Sequence, residues 1–501
     1  MTDGPGSVSY GSAKGRWILL ATVLGSGMAF LDATVVNIAL PAIGEDFDAG
    51  LASLQWTVNA YTLTLAGLLL LGGALGDRFG RRRVFMVGVA WFAVASLVCA
   101  LAPTVETLIA ARALQGVGGA LLTPGSLAII EASFRRGDRG VAIGAWSGLA
   151  GVSTAIGPFL GGWLIESVSW RLIFLINLPL AGVVLLAAWR HVPESRDEDA
   201  RGRPLDWQGT ALAAVGLAGV VYALTAGPEA GWDAATTVTG LLGALALVGF
   251  LVVERRSAHA LMPLDLFGSR QFSAANLVTL LVYGALAGGL FLLPIQLQIS
   301  LGYAPIAAGS ALIPLTIVML LLSARAGRLA GRIGPRIPMA VGPVVAAAGL
   351  ALLSGVAAGD SYAAGVLPGI LVFALGLSLT VAPLTSTVLA AASERRAGVA
   401  SAINNTVARV AGLLAVAVIP VAVGLSGDDY RDPGPLTDAY RLALLAAAAL
   451  LVAGGVLAAL LIRTPAEPEG ETATEGQPGC PLDAPLLGGE ARGAPERPRA
   501  T

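Results

Sequence analysis

Apolar residues in this chain come in long blocks separated by short polar connections. A helix that crosses a hydrocarbon core needs about 20 mostly apolar residues. Blocks of that kind predict helices near 17–40, 54–75, 84–102, 105–128, 141–163, 172–190, 208–226 and 235–253. Six more are predicted near 272–298, 306–324, 338–357, 364–389, 398–424 and 440–462. The expected fold is an all-α polytopic membrane protein with fourteen transmembrane helices.

The polar connections alternate in charge, and the arginines set the orientation. With the N-terminus inside, the cytoplasmic connections hold Arg78, Arg81, Arg82 and Arg83, then Arg135, Arg136 and Arg139. The same side collects Arg190, Arg196, Arg255, Arg256, Arg328, Arg332 and Arg336 further along. The opposite connections are acidic or neutral, with Glu45, Asp46, Asp48, Glu229, Asp233, Asp428 and Asp429; only Arg431 stands clearly out of place. An even number of spans puts both termini in the cytoplasm. The first span contains Asp32 and is too long for a cleaved secretory signal, so it is expected to be retained.

Composition narrows the class. Of 501 residues 55% are hydrophobic and 13% charged, against about 25% charged in soluble domains. A net charge of −1 leaves no basic surplus for nucleic acid. His191 and His259 lie in polar connections, Cys99 in an apolar run and Cys480 in a Pro/Gly-rich tail, so no metal or disulfide framework is predicted. The tail, 464–501, is too polar and Pro/Gly-rich to form a core and is expected to be disordered. Arginine outnumbers the single lysine, Lys14, in the manner of a high-GC bacterial genome, which fits a bacterial inner (plasma) membrane.

An internal repeat organises the spans. GALGDRFGRR (73–82) follows the second span and GRLAGRIGPR (327–336) the tenth, with Gly73, Leu75, Arg78 and Gly80 aligning with Gly327, Leu329, Arg332 and Gly334. Asp77 is replaced by Gly331. A displacement of eight spans fits two six-helix halves with two helices inserted between them. The expected organisation is an N-tail (1–15), an N-terminal half (16–190), a loop (191–207), two inserted helices (208–253), a loop (254–271), a C-terminal half (272–463) and the tail. Parallel halves are a known transporter architecture, with the substrate site between them near the midplane.

Several motifs strengthen this reading: LDATVVNIALP (31–41), GALGDRFGRR (73–82), RALQGVGGA (112–120), GPFLGG (157–162), WRLIFLINLP (170–179) and LDLFGSRQF (264–272). In this order and spacing the chain resembles the major facilitator superfamily, specifically its fourteen-span drug:proton antiporter branch (EmrB/QacA type). The resemblance implies the major facilitator fold and a role in proton coupling for the fourth-span arginine, Arg112. It also links the fifth-span motif, with Gly157, Pro158, Gly161 and Gly162, to antiport.

The residues carry their own chemistry. Asp32 is the only acid placed deep in a span, roughly 22 Å from the inner edge at 1.5 Å per residue. Intramembrane carboxylates usually line cavities or proton paths. Burial and a nearby cation pull a carboxyl in opposite directions, the balance a reversible proton carrier needs. Arg112 lies at similar depth, with Gln115, Gly116 and Gly119 on the same helix face. Depth is legible in sequence and azimuth is not, so a direct Asp32–Arg112 contact is an expectation; a structural role in helix packing is the alternative for each. Gly73, Asp77, Arg78, Gly80 and Arg81 form a candidate conformational latch, and their positive charge equally sets topology. Substrate-pocket candidates are Trp56, Asn59, Tyr61, Gln115, Gln296 and Arg409, with interface or packing roles as alternatives; Gln298 is read in the same way.

No Gly-Lys-Ser/Thr phosphate loop exists around Lys14, so an ion gradient must drive transport, with no cofactor. A proton is worth about 1.4 kcal/mol per pH unit plus about 2.3 kcal/mol per 100 mV. The expected function is a proton-coupled exporter of hydrophobic drug- or antibiotic-like small molecules, not an enzyme. Its partners are the substrate, protons and the lipid bilayer, and it is expected to be a monomer. Alternatives are a dedicated exporter of one metabolite and, from another class, a non-transporting receptor or assembly partner.

Overall fold

The computed structural model describes residues 8–197, 205–257, 260–393 and 396–463. The 464–501 tail, residues 1–7, 198–204, His259 and Cys480 lie outside the described residues. The helices are α1 (Ala13–Asp46), α2 (Leu51–Phe79), α3 (Arg81–Ala100), α4 (Val105–Ser133), α5 (Arg136–Ser167), α6 (Leu172–Leu175) and α7 (Asn177–His191). They continue with α8 (Trp207–Ala226), α9 (Ala234–Arg256), α10 (Arg270–Ile299), α11 (Pro305–Ala311) and α12 (Ile313–Ile333). The last are α13 (Arg336–Leu353), α14 (Leu367–Ala390), α15 (Ala397–Ala422) and α16 (Pro433–Leu461). Among the described residues the isolated β-type pairing is a bridge between Val8 and Phe134.

Taking α6 with α7 and α11 with α12 as single crossings, thirteen segments are long and apolar enough to span a membrane. The glycine-rich α5, with 32 residues, is as long as its neighbours and completes fourteen. The helices overrun the predicted apolar blocks because polar end turns cap them outside the hydrocarbon. The Ser12 hydroxyl accepts from the Gly15 N–H at 3.0 Å, and the Asp206 carboxylate accepts from the Gly209 N–H at 2.7 Å. Two crossings predicted as continuous are broken, at Ile176 and Leu312, and a π-turn over Tyr362–Val366 precedes α14.

The repeat reappears as geometry. Gly80 joins α2 to α3 at φ +114°, and Gly334 stands between α12 and α13 at φ +83°. Each needs a backbone conformation that side chains with a Cβ disfavour.

Helices α1–α7 pack mainly on one another, as do α10 and α12–α16, whereas α11 packs mainly on α5. One apolar cluster is confined to residues 8–192 and includes Phe85, Phe92, Phe134 and Val184. A larger cluster crosses between the two groups, joining Val35, Leu40, Leu54 and Phe174 to Phe291, Ile419, Leu436 and Leu444. Of the inserted pair, α8 docks through Leu217 and Val221 against Leu413 and Ala417 of α15 and Trp56 of α2. By contrast α9 leans on α8 and exposes Leu241, Leu242, Leu245 and Val248, a surface suited to lipid.

Candidate coupling site and central cavity

The site begins with a notch. Gly116 of α4 lies against the Tyr61 carbonyl and the Thr64 hydroxyl of α2, where any Cβ would collide. This close approach lets Thr64 Oγ1 donate to the Ala113 carbonyl at 2.7 Å. It also brings Arg112 Nε within 3.0 Å of the Thr57 carbonyl, to which it donates. The guanidinium then stacks over the Tyr61 ring, 4.4 Å from its centroid.

Held there, Arg112 reaches α1. Its Nη1 donates to Asp32 Oδ2, and both side chains are 1% exposed. The same nitrogen donates to Gln115 Oε1 at 2.6 Å, and Gln115 Nε2 donates to Asp32 Oδ1 at 2.8 Å. Asn177 Nδ2 donates to Asp32 Oδ1 at 3.4 Å and to Ser96 Oγ at 3.3 Å. The break at Ile176 puts Asn177 at the head of α7, facing this cluster. Both carboxylate oxygens thus meet donors. A buried ion pair needs this level of satisfaction to offset desolvation.

The structure therefore brings Asp32, Arg112 and Gln115 together, with Tyr61 beneath them. Two members were not singled out from sequence. Asn177 carried a readable signal, as an amide inside the apolar run of WRLIFLINLP; Ser96 carried almost none.

A cavity of ≈1640 Å³ lies between the groups, opening among the arginine-rich connections. Phe30, Leu69, Trp146 and Arg409 line its interior, and Asp77, Arg81, Asp265 and Arg396 its mouth. Of the pocket candidates Arg409 alone lines it. Trp56 packs toward Tyr222 of α8, with centroids 6.4 Å apart. Asn59 is buried with both amide atoms unpartnered. Gln296 is sequestered inside the α10–α16 group, donating to the Val356 carbonyl at 3.3 Å and to Thr437 Oγ1 at 3.1 Å. Those bonds use its donors, and Gln296 is not among the residues that line the cavity in this conformation.

The other end is closed. Arg431, the positive charge out of place in the sequence, is the clasp: it pairs with Asp48 at 2.7 Å and donates to the carbonyls of Gly44 and Ala49 at 3.2 and 3.3 Å. The Tyr430 hydroxyl and Asp48 hold its guanidinium protonated even more firmly than usual. Beside it, the Tyr430 hydroxyl donates to the Ala49 carbonyl at 2.8 Å, and the Leu51 N–H to the Gly427 carbonyl at 2.9 Å. Further in, Gln55 Nε2 donates to the Val416 carbonyl at 2.7 Å and Gln298 Nε2 to the Ile38 carbonyl at 3.0 Å.

The fifth-span glycines fit the same seal. Gly157 and Gly161 face Thr34 and Val35 of α1, while Gly162 abuts the backbone of Pro305 and Ile306 in α11. Gly309 of α11 in turn faces the Pro158 carbonyl. The glycine-rich faces thus press α5 against both α1 and α11, the close approach that small residues permit.

At the open end, Asp77 Oδ1 accepts from Arg81 Nε at 2.9 Å, and Glu194 Oε1 accepts the Arg82 N–H at 3.1 Å. Asp265 pairs with Arg396, whose hydrogen bond holds the Asp265 carboxyl below the usual range. Gly73 has only Pro124 near its missing side chain, and Gly331, standing where Asp77 stands in the first copy, has open space.

Comparison with known proteins gives this arrangement its class. Residues 22–416 match the Major Facilitator Superfamily. The chain is 37% identical to a "Tetracenomycin C resistance and export protein" of Streptomyces glaucescens, covering 86% of this chain and 81% of that one. It is 36% identical to the "Multidrug resistance protein Stp" of Mycobacterium tuberculosis, covering 80% and 74%. Its fold matches a crystal structure of the peptide transporter POT in complex with sulfate, with a TM-score of 0.63 at 16% identity over 92% of this chain and 98% of that one. The protein is a multi-pass membrane transporter without a cofactor, not an enzyme, and belongs to the major facilitator superfamily, within its fourteen-span branch of drug-resistance exporters (EmrB/QacA type).

Proposed function

We propose that the protein exports hydrophobic drug- or antibiotic-like small molecules in exchange for protons, by alternating access between an N-terminal six-helix half and a C-terminal one. The observation that carries this reading is the Asp32–Arg112–Gln115–Asn177 cluster, a fully bonded buried carboxylate on the first half beside a cavity open at one end.

The arginine-rich end is cytoplasmic in this reading, by the positive-inside bias, in a bacterial plasma membrane with both termini inside. The conformation is then inward-open, with Asp32 deprotonated and held by Arg112. Substrate enters from the cytoplasm. Protonation of Asp32 from outside removes the negative charge that Arg112, Gln115 and Asn177 are oriented around. That loosens α1 from α4 and α7 and favours substrate release and reset. Asp77, Arg78 and Arg81 with Gly73 and Gly80 form the cytoplasmic latch, here with the Asp77–Arg81 pair inside the first half. The α5 contacts, Gly157 and Gly161 on α1 and Pro158 and Gly162 on α11, limit leak, and the chain acts as a monomer.

The test is substrate-induced proton release from acid-loaded inverted vesicles, with a panel of neutral, cationic and anionic aromatic compounds. Gradient collapse by several compounds in the wild type, abolished in Asp32→Asn, is the expected outcome. A mutant equal to wild type would remove Asp32 from coupling. A second reading, export of one dedicated metabolite, is favoured by the single compound for which the tetracenomycin C relative is named, and a response to one compound alone would support it.

A further inference from the structure

Among the described residues several arginines pair with carboxylates: Arg81 with Asp77, Arg112 with Asp32, Arg171 with Asp46, Arg396 with Asp265 and Arg431 with Asp48. Arg409 does not. It stands twelve residues into α15 from Ala397, roughly 18 Å along the helix. Its Nε is buried without a hydrogen-bond partner, and the side chain lines the central cavity. Its titratable neighbours are the phenols of Tyr61 and Tyr283, which are neutral at physiological pH and supply no counter-charge.

An arginine stays protonated in any protein environment, and a cation deep in a membrane segment is costly unless something compensates it. The adjoining walls are apolar and aromatic, with Phe30, Leu69 and Trp146 beside the guanidinium's chamber. Of the acids that line the cavity, Asp77 is engaged by Arg81 and Asp265 by Arg396, Asp206 caps α8 and Glu254 accepts from the Met262 N–H; Glu131 and Asp197 also line it, and none of these acids is a charged neighbour of Arg409. Arg409 therefore offers the cavity a guanidinium with no carboxylate neighbour, beside apolar and aromatic walls. That is the complement of a planar anionic group on a hydrophobic body, since guanidinium matches carboxylate geometry with two parallel bonds.

We infer that the transported compounds are amphiphilic organic monoanions, aromatic carboxylates or phenolates, and that Arg409 is their counter-ion in the cavity. The inference rests on the export reading above and specifies its substrate class. It carries a consequence for energetics: one proton entering as one monoanion leaves moves two charges in the same sense. An inside-negative potential would then drive such export, whereas a monocation exchanged for one proton would move no net charge.

The experiment is equilibrium binding to the full-length protein in lipid nanodiscs, using three probes with one aromatic body: pyrenebutyrate, its neutral amide and pyrenebutylamine. The wild type should bind the acid about tenfold more tightly than the amine. Arg409→Gln should weaken the acid about tenfold and leave the amide within about twofold, while Arg409→Lys should fall between, keeping the charge without the fork. Equal affinity for acid and amine in the wild type, a preference for the amine, unchanged acid binding in Arg409→Gln, or no binding of the acid would each overturn the inference. The two readings fail separately. A wild-type preference for the acid with no proton movement for any probe would break the export reading alone. Proton-coupled transport of the amine without acid binding would break this one alone.

Discussion

The clasp at the closed end gives the most direct quantitative test. Three of Arg431's interactions cross to the α1–α2 connection: the Asp48 pair at 2.7 Å and the bonds to the Gly44 and Ala49 carbonyls at 3.2 and 3.3 Å. Its contact with Asp428 at 3.6 Å stays within its own connection and does not count toward closure. Asp48 is 89% exposed, so its pair is solvent-screened and contributes about 0.5 kcal/mol. The two bonds from a charged donor are long, and about 1 kcal/mol each is a fair magnitude. Arg431→Ala should therefore shift the closed-to-open equilibrium at this end by about 2.5 kcal/mol, roughly sixtyfold. The assay is alkylation of a cysteine at Val416→Cys, buried at the sealed interface, in a background with Cys480→Ser. If opening is rare and fast, the labelling rate follows the open fraction and should rise about sixtyfold on Arg431→Ala. Arg431→Lys, which keeps a charge near Asp48 but loses the fork, should give a smaller rise. A change under about threefold with Arg431→Ala would refute the clasp and assign closure to the apolar cluster alone.

Other outcomes follow from the same contacts. Asp32→Asn or Arg112→Gln alone breaks a buried pair, which typically costs about 3–5 kcal/mol, whereas the double variant leaves no unpaired charge. Thermal unfolding in detergent should show each single variant below wild type and the double variant above the sum of their losses. Gly162→Val forces a side chain into the Pro305–Ile306 backbone and should cost about 1–3 kcal/mol by overpacking. Proton leak in vesicles should rise for it but not for Gly182→Val, whose site has open space. Gly80→Ala, at φ +114° and against the Glu194 carboxylate, should lower the unfolding temperature more than Gly331→Ala, which meets nothing. Arg396 depresses the Asp265 carboxyl in the folded state, so this contact's stabilisation is present above the unfolded value, about pH 4. It disappears as pH falls through the lower folded value. Asp265→Asn should thus differ from wild type in unfolding temperature at pH 6, and the difference should shrink only below about pH 4.

The spans, their number, the alignment of Gly80 with Gly334 and the similar depth of Asp32 and Arg112 were legible in the sequence. Each is a local property: hydropathy sums over about 20 neighbouring residues, a positive φ favours glycine on the spot, and depth is rise per residue. Which side chains meet is not local. Azimuth is set where helices press together, and here the Gly116 notch between α4 and α2 turns Arg112 toward Asp32. The same packing adds Asn177 through a helix break that hydropathy does not register, and turns Gln296 into the α10–α16 interior. Arg431 shows the limit from the other side. The charge pattern marks it as an exception, and only its position against Asp48, Gly44 and Ala49 explains it. The sequence alone determined what crosses the membrane and which charges lie within it. The tertiary structure decided which charges neutralise one another, which one, Arg409, is left facing a cavity, and which end is shut. Those outcomes depend on contacts between segments from 80 to 383 residues apart, which a one-dimensional pattern does not encode.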